Sequence, residues 1–224
     1  MSAGQLPAER FPALDVLPDV IHGFTLRAAD IELSHDKMEA LARLDGVHRE
    51  IRKQNGLGDA QFITAQQVHG NRVALVDAAT AANECFESCD GLITNQRGVC
   101  LGIYVADCCA VYLADPVRNA IGLVHSGKKG TEIGIVPNAI KSMADHFGSR
   151  VSDLIVQLSP CIRPPRYEID FADEIVRQCR AAGVTALYDS GVCTACDLNR
   201  YYSYRAEKGR TGRMLAFLAL AAAP

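Results

Sequence analysis

Three apolar runs, residues 99–105, 110–114 and 119–125, stand almost end to end in the middle of this 224-residue chain. Polar breaks separate them: Asp107-Cys108 lies between the first two, and Asp115-Pro116-Val117-Arg118-Asn119 between the second and third. Apolar stretches of this length bounded by turn residues predict buried strands. Shorter runs with the same character occur at 20–27, 61–66, 72–76, 153–158, 201–205 and 213–220, whereas 78–87 shows no clear period. The spacing changes at 36–55, where Leu41, Leu44, Val47 and Ile51 recur every three to four residues with Lys and Arg on the opposite face. That period predicts an amphipathic helix, ended by Gly56 and Gly58. A second helix is expected over 131–147, with Pro137 placed to kink or split it. A third is marked by Phe171, Ile175, Val176 and Cys179 and stops at Gly183.

Strands dominate and three helices are interspersed, so the pattern predicts one α+β domain, with mixed sheets and flanking helices. Residues 20–224 form this domain, and the Pro-punctuated residues 1–19 read as an N-terminal extension. The last apolar run, from Met214 to Ala223, is too short to cross a bilayer and reads as a buried final strand.

Composition narrows the function classes. The hydrophobic fraction is 49% and the formal net charge −3, without the basic stripe of a nucleic-acid-binding surface or a polybasic membrane patch. No basic segment followed by an apolar run opens the chain, so no secretion signal is read and a cytoplasmic location is expected. Nine cysteines form no regular framework, which fits reduced, buried thiols.

Three side chains could carry chemistry. His69 follows a strand, Cys108 sits at a strand junction and His125 ends a strand. Two imidazoles and a thiolate make a zinc set with one open position. The same three also suit a Cys nucleophile with a His base, or plain packing. Ser126-Gly127-Lys128-Lys129-Gly130 precedes the second helix and suits an anion, or is a solvated surface turn. It is not a P-loop, because the glycine and Lys-Ser/Thr spacing is missing. Cys193-Thr194-Ala195-Cys196 has no second Cys pair suitably placed for a structural zinc. Arg205 and the later Arg210-Thr211-Gly212-Arg213 bring guanidinium groups suited to anions.

Taken together, QQVHGNRV, CDGLITNQRGVCLGIYVADCCAVYLADP, AIGLVHSGKKGTEIGI and YSYRAEKGRTGR resemble the YfiH or laccase-domain family. Its members have been called multicopper polyphenol oxidase, purine nucleoside phosphorylase and peptidoglycan editing factor. The likeness runs from about Val20 to near the end of the chain. It implies an α+β fold shared with a class of Cys/His deamidating toxins, and a mononuclear zinc on His69, Cys108 and His125. The implied substrates are a purine nucleoside and phosphate, with phosphorolysis or adenosine deamination as the reaction. On that reading Asp107 and Cys108 are the catalytic residues. Phosphate or substrate would meet Arg27, Gly127, Lys128, Lys129, Gly130 and Arg205. Copper fits less well, because a multicopper relay needs several clustered sites. A Cys108–His125 hydrolase or amidase and a zinc-stabilised binding protein are the alternatives.

The sequence also departs from the family pattern. HSGKKG stands for the usual HAGWRG, so Lys128 replaces a Trp and Lys129 an Arg. The expected GGVS stretch after Arg27 reads Ala28-Ala29-Asp30-Ile31.

Overall fold

The computed structural model describes residues 8–222. In chain order the strands are β1 (Ala8–Glu9), β2 (Val20–Thr25), β3 (Gln61–Ala65), β4 (Val73–Leu75), β5 (Cys85–Phe86), β6 (Gly91–Thr94), β7 (Val99–Val105), β8 (Cys109–Asp115), β9 (Ala120–Ser126), β10 (Ile155–Leu158), β11 (Ala186–Asp189) and β12 (Met214–Leu220). The helices are α1 (Pro12–Asp15), α2 (Lys37–Gln54), α3 (Lys128–Glu132), α4 (Ile135–Phe147) and α5 (Phe171–Ala181). Two six-stranded sheets result, in the orders β1-β2-β12-β7-β3-β5 and β11-β10-β8-β9-β6-β4. Both contain parallel and antiparallel pairs. The chain is the α+β domain that its pattern predicts.

Why the central strands are apolar throughout follows from their two faces. Successive side chains of a strand point to opposite sides. In β12, Met214, Ala216, Leu218 and Leu220 enter the core between the sheets, where they join Leu101, Tyr112, Ile121 and Leu123. The alternate residues Leu215, Phe217 and Ala219 face Ile51 of α2. In β8, Ala110, Tyr112 and Ala114 face the inter-sheet core, while Cys109, Val111 and Leu113 face α4 and α5. The order across the molecule is helix, sheet, sheet, helices. With both faces covered, a continuous apolar run replaces alternation. Each large aliphatic or aromatic side chain buried here contributes about 1.5–3 kcal/mol.

Several boundaries differ from the sequence expectation. The helix pattern over 36–55 becomes α2, with Asp36 capping its start by accepting the Glu39 N–H at 2.8 Å. The stretch expected as one helix over 131–147 is two, α3 and α4. The break falls at Gly134, which adopts a left-handed φ of 75°, and not at Pro137. Pro137 sits in the first turn of α4, where a missing N–H costs nothing. Residues 201–205 form no strand: Tyr201 and Tyr202 are buried in an irregular segment, and the Tyr202 N–H points at Met214 Sδ at 3.1 Å. In the segment assigned to an N-terminal extension, residues 8–19 carry β1, which pairs with β2, and α1, which puts Phe11 and Leu14 into the inter-sheet core. Residues 1–7 and the end of the final apolar run, Ala223, lie outside the described residues. No helix among those described is long and apolar enough to cross a membrane.

Candidate metal centre

The site lies where the second sheet meets the loop after β3. β8 and β9 form an antiparallel hairpin whose register sets Ala110 opposite His125. Cys108 immediately precedes β8, so its sulfur and the His125 ring come to the same end of the hairpin. His69 arrives from the loop between β3 and β4 in a left-handed conformation, φ 59°. Its Nε2 stands 4.0 Å from Cys108 Sγ, and its ring centroid is 4.9 Å from that of His125. One donor atom from each of the three residues lies within 4.8 Å of the others.

A buried carboxylate builds this arrangement. Asp90, just before β6, is fully buried. Its side chain accepts N–H bonds from Val68 (3.1 Å), His69 (2.9 Å) and Gly70 (2.7 Å), and it meets His125 Nδ1 at 2.8 Å. Asp90 thereby holds the His69 loop and fixes the His125 tautomer, leaving Nε2 free to act as donor to a metal. A ligating histidine ordinarily leans on such a partner. Burial alone would push the Asp90 carboxyl pKa up, but the His125 and backbone N–H bonds bring it below the usual value. The sequence reading assigned Asp90 no role. Its one sequence signal is a carboxylate flanked by apolar residues at the mouth of a strand, where a charge needs partners.

Charge is tightly coupled at the centre. Burial opposes ionisation of Cys108, yet the adjacent His125 and His69 bring its pKa down to about 6. Burial likewise opposes protonation of His125, and the Cys108 sulfur and Asp90 raise its pKa to about 9. Each of the pair thus favours the charged form of the other, and a metal cation would take the place of the shared proton. The donor set suits zinc: two imidazoles, one thiolate and a carboxylate behind one ring. Zinc held by His69, Cys108 and His125 would draw donor atoms that now lie within 4.8 Å of one another closer together. Gly127 makes room for the sulfur, since a Cβ there would lie 2.5 Å from Cys108 Sγ. Among the described residues this is the one cluster of three metal-ligating side chains, whereas a multicopper relay needs several.

All three residues line a cavity of about 500 Å³. Tyr104, Tyr167, Phe171 and Tyr204 supply aromatic wall, and Lys37, Lys128, Arg205 and Arg213 supply positive charge. Asp107 also lines it, with a left-handed φ of 85°. Its Oδ1 accepts from Thr194 Oγ1 at 2.8 Å and its Oδ2 from the Arg205 N–H at 2.7 Å. The Cys193–Cys196 turn therefore reaches the site through Thr194. Cys193 and Cys196 are free thiols outside the metal cluster.

The other expected anion contacts separate. Lys128 and Arg205 reach the cavity; Arg205 also pairs with Glu168 at 2.6 Å. Lys129 is exposed and not part of the lining. Gly130 packs beneath it, where a Cβ would meet the Gly70 carbonyl at 3.3 Å. Arg27 lies away from the cavity, bonded to Glu207 at 2.8 Å and placed over the Tyr202 ring. Arg213, one of the guanidinium groups that the sequence offers to an anion, lines the cavity together with Lys37 and Gln67. Sequence pattern marks Lys37 and Gln67 only as the start of a helix and a turn.

Residues 28–178 and 166–221 match the family model described as multi-copper polyphenol oxidoreductase laccase. The chain belongs to that family. Among curated relatives, it is 29% identical over 198 residues to a Bacillus subtilis protein named purine nucleoside phosphorylase YlmD, covering 71% of this chain and 70% of that one. A Streptomyces griseus protein named purine nucleoside phosphorylase ORF3 is also 29% identical, over 77% of this chain and 80% of its own. The crystal structure of the hypothetical protein YfiH from Bacillus licheniformis superposes with a TM-score of 0.80 at 22% identity, covering 90% and 92% of the two chains. That of YlmD from Geobacillus stearothermophilus gives 0.79 at 23% identity, covering 94% of each. These two likenesses establish the fold.

Proposed function

We propose that this protein is a zinc-dependent purine nucleoside phosphorylase. The observation that carries the reading is the convergence of His69, Cys108 and His125 on the wall of a cavity with both aromatic and basic lining. The names of the family relatives supply the substrate class. A nucleoside needs flat apolar contact for its base and polar contact for its ribose, and phosphate needs cations. Tyr167 and Phe171, edge to face at 6.1 Å, together with Tyr204 offer the base its surface. The cavity is large enough for one such molecule. Bound at His69, Cys108 and His125, zinc would supply Lewis acidity at the cavity wall.

In phosphorolysis an oxygen of monohydrogen phosphate bonds to ribose C1′ while the C1′–N9 bond breaks. The bonding pair goes to the purine, and the proton of the phosphate ends on the base. Asp107 is the carboxylate lining the cavity among the described residues, which supports a role for it in passing that proton. Its bonds to Thr194 and Arg205 hold it in position. Adenosine deamination would use the same centre with water as the nucleophile. The nine free cysteines suit a reducing compartment, and the cytoplasm is the proposed location.

The test is incubation of the purified protein with inosine and adenosine, with and without inorganic phosphate. Phosphate-dependent release of hypoxanthine or adenine, with ribose 1-phosphate, is expected; no base release from zinc-loaded protein would overturn the reading.

One further observation favours a second reading. Cys108, His125 and Asp90 stand in the order thiol, imidazole, carboxylate, which is also the layout of a Cys-His-Asp nucleophile. A metal-free hydrolase or amidase, peptidoglycan precursor editing included, would use that order. Elemental analysis separates the two: stoichiometric zinc supports the first, and metal-free active protein with a Cys108 thiol readily alkylated supports the second.

A further inference from the structure

Four cations line the cavity: Lys37, Lys128, Arg205 and Arg213. Arg205 already pairs with Glu168 and lies over the Tyr167 ring, and Arg213 lies over the Tyr204 ring at 5.8 Å. Lys37 is the first residue of α2, and Arg213 immediately precedes β12. Neither has a carboxylate partner within 4 Å among the described residues; their hydrogen bonds go to backbone carbonyls. Lys37 Nζ donates to Gln66 O at 3.2 Å, and Arg213 Nη1 donates to the carbonyls of Thr211 (3.4 Å) and Gly212 (2.7 Å). The Gln67 side chain clips the Tyr104 backbone, donating to its carbonyl at 2.7 Å and accepting its N–H at 3.0 Å.

Two half-buried cations that share one cavity without a direct carboxylate partner are costly to hold together. Burial and the Arg213 charge lower the Lys37 pKa. Burial also lowers that of Arg213, which feels Cys108 and Asp107 as well. Such a pair is stabilised when an anion occupies the space between its donors.

We propose that Lys37 and Arg213 form the oxyanion subsite of this cavity, the place where inorganic phosphate binds. The assignment rests on the phosphorylase reading for its role in turnover, though not for binding itself. It leaves the Tyr167–Phe171 pair to the base. Within the Ser126–Gly130 turn, Lys128 lines the cavity and Lys129 is exposed.

The experiment is calorimetric titration of the zinc-loaded full chain with inorganic phosphate, for the natural protein and for Lys37→Met, Arg213→Met, Arg213→Lys, Lys128→Met and the distant Lys141→Met. Loss of one charge-assisted contact is expected to weaken phosphate binding about tenfold or more in Lys37→Met and in Arg213→Met. Arg213→Lys should fall between, keeping the charge but losing the fork, and Lys141→Met should leave binding unchanged. Thermal melting identifies any variant that has not folded, and either of the two sites then carries the test alone. Phosphate binding unchanged in every folded variant at 37 and 213 overturns the proposal. So does weakening only in Lys128→Met, or no phosphate binding by the natural protein. Should phosphate bind and weaken as expected while no nucleoside is cleaved, the subsite stands and the phosphorylase reading falls. If nucleosides are cleaved with an unchanged phosphate KM in the variants, the reverse holds.

Discussion

Asp90 Oδ1 meets His125 Nδ1 at 2.8 Å, and the same carboxylate takes the His69 N–H at 2.9 Å. One side chain therefore positions two of the three presumed ligands, one through its ring and the other through its backbone. Asp90→Asn keeps the volume but removes the charge and half of the acceptor capacity. We expect zinc affinity to fall about 10–100-fold, measured by competition with a chromophoric chelator. Unchanged affinity would mean that the carboxylate is only a loop anchor.

Removing the metal should be felt by the whole fold. The three candidate ligands come from the β3–β4 loop, the residue before β8 and the end of β9, so binding would tie these segments together. A ligand present at about a thousand times its dissociation constant stabilises by roughly 4 kcal/mol. Chelation should therefore lower the melting temperature by several degrees, and Cys108→Ser should melt at the chelated value whether or not zinc is added. A chelator-insensitive melting curve in protein shown to contain zinc would place the metal elsewhere.

Gly127 and Gly46 make opposite cases. A Cβ at Gly127 would stand 2.5 Å from Cys108 Sγ and 3.6 Å from His69 Cδ2, so Gly127→Ala must displace the sulfur and should abolish tight zinc binding. Gly46 lies exposed on α2 with nothing within 4 Å of an added Cβ. Gly46→Ala should raise stability by about 1 kcal/mol, read from the urea midpoint, with no effect on metal content.

Acid should unfold the protein through two histidines outside the candidate ligand set. His22 is fully buried, and its Nε2 accepts the Phe11 N–H at 2.9 Å, a bond that only the neutral ring can make. Burial, with Arg10 nearby, brings its pKa down to about 4. His48 packs on Tyr104, and burial, with help from Arg52, brings it to about 4 also. The unfolded chain takes up these protons near pH 6.5 and the folded one near pH 4. Stability is thus full above pH 6.5 and falls as the pH drops from 6.5 to 4, by on the order of 3 kcal/mol per histidine. His48→Gln should flatten the urea midpoint between pH 6.5 and 4 relative to the natural protein; an equally steep fall would remove His48 from the account.

The central strands were legible because burial on both faces leaves an uninterrupted apolar run, and α2 because its period and Asp36 cap agree. Residues 201–205 misled because aromatic residues favour strands, while here their backbone is drawn to Met214 and Glu207. His69, Cys108 and His125 stood out by residue type at element ends, but their convergence depends on the β8–β9 register and on Asp90, which no local pattern reveals. Lys37 is hidden for another reason: a lysine at a helix start looks like an ordinary solvated charge until the fold encloses it. Arg213 stands out in the sequence only as one of several guanidinium groups suited to an anion.

Cys108 and Cys109 are neighbours in the chain with different fates. Cys109 is wholly buried on the helix side, its Sγ directed to the Ala110 and Ser159 carbonyls at 3.4 and 3.8 Å. Because a strand alternates its faces, slipping β8 by one residue against β9 would exchange the two, offering a different thiol to the histidines and sealing the first away. The pairing of Ala110 with His125 thus acts as a selector between two chemically identical groups. It sets only one of them beside the histidines.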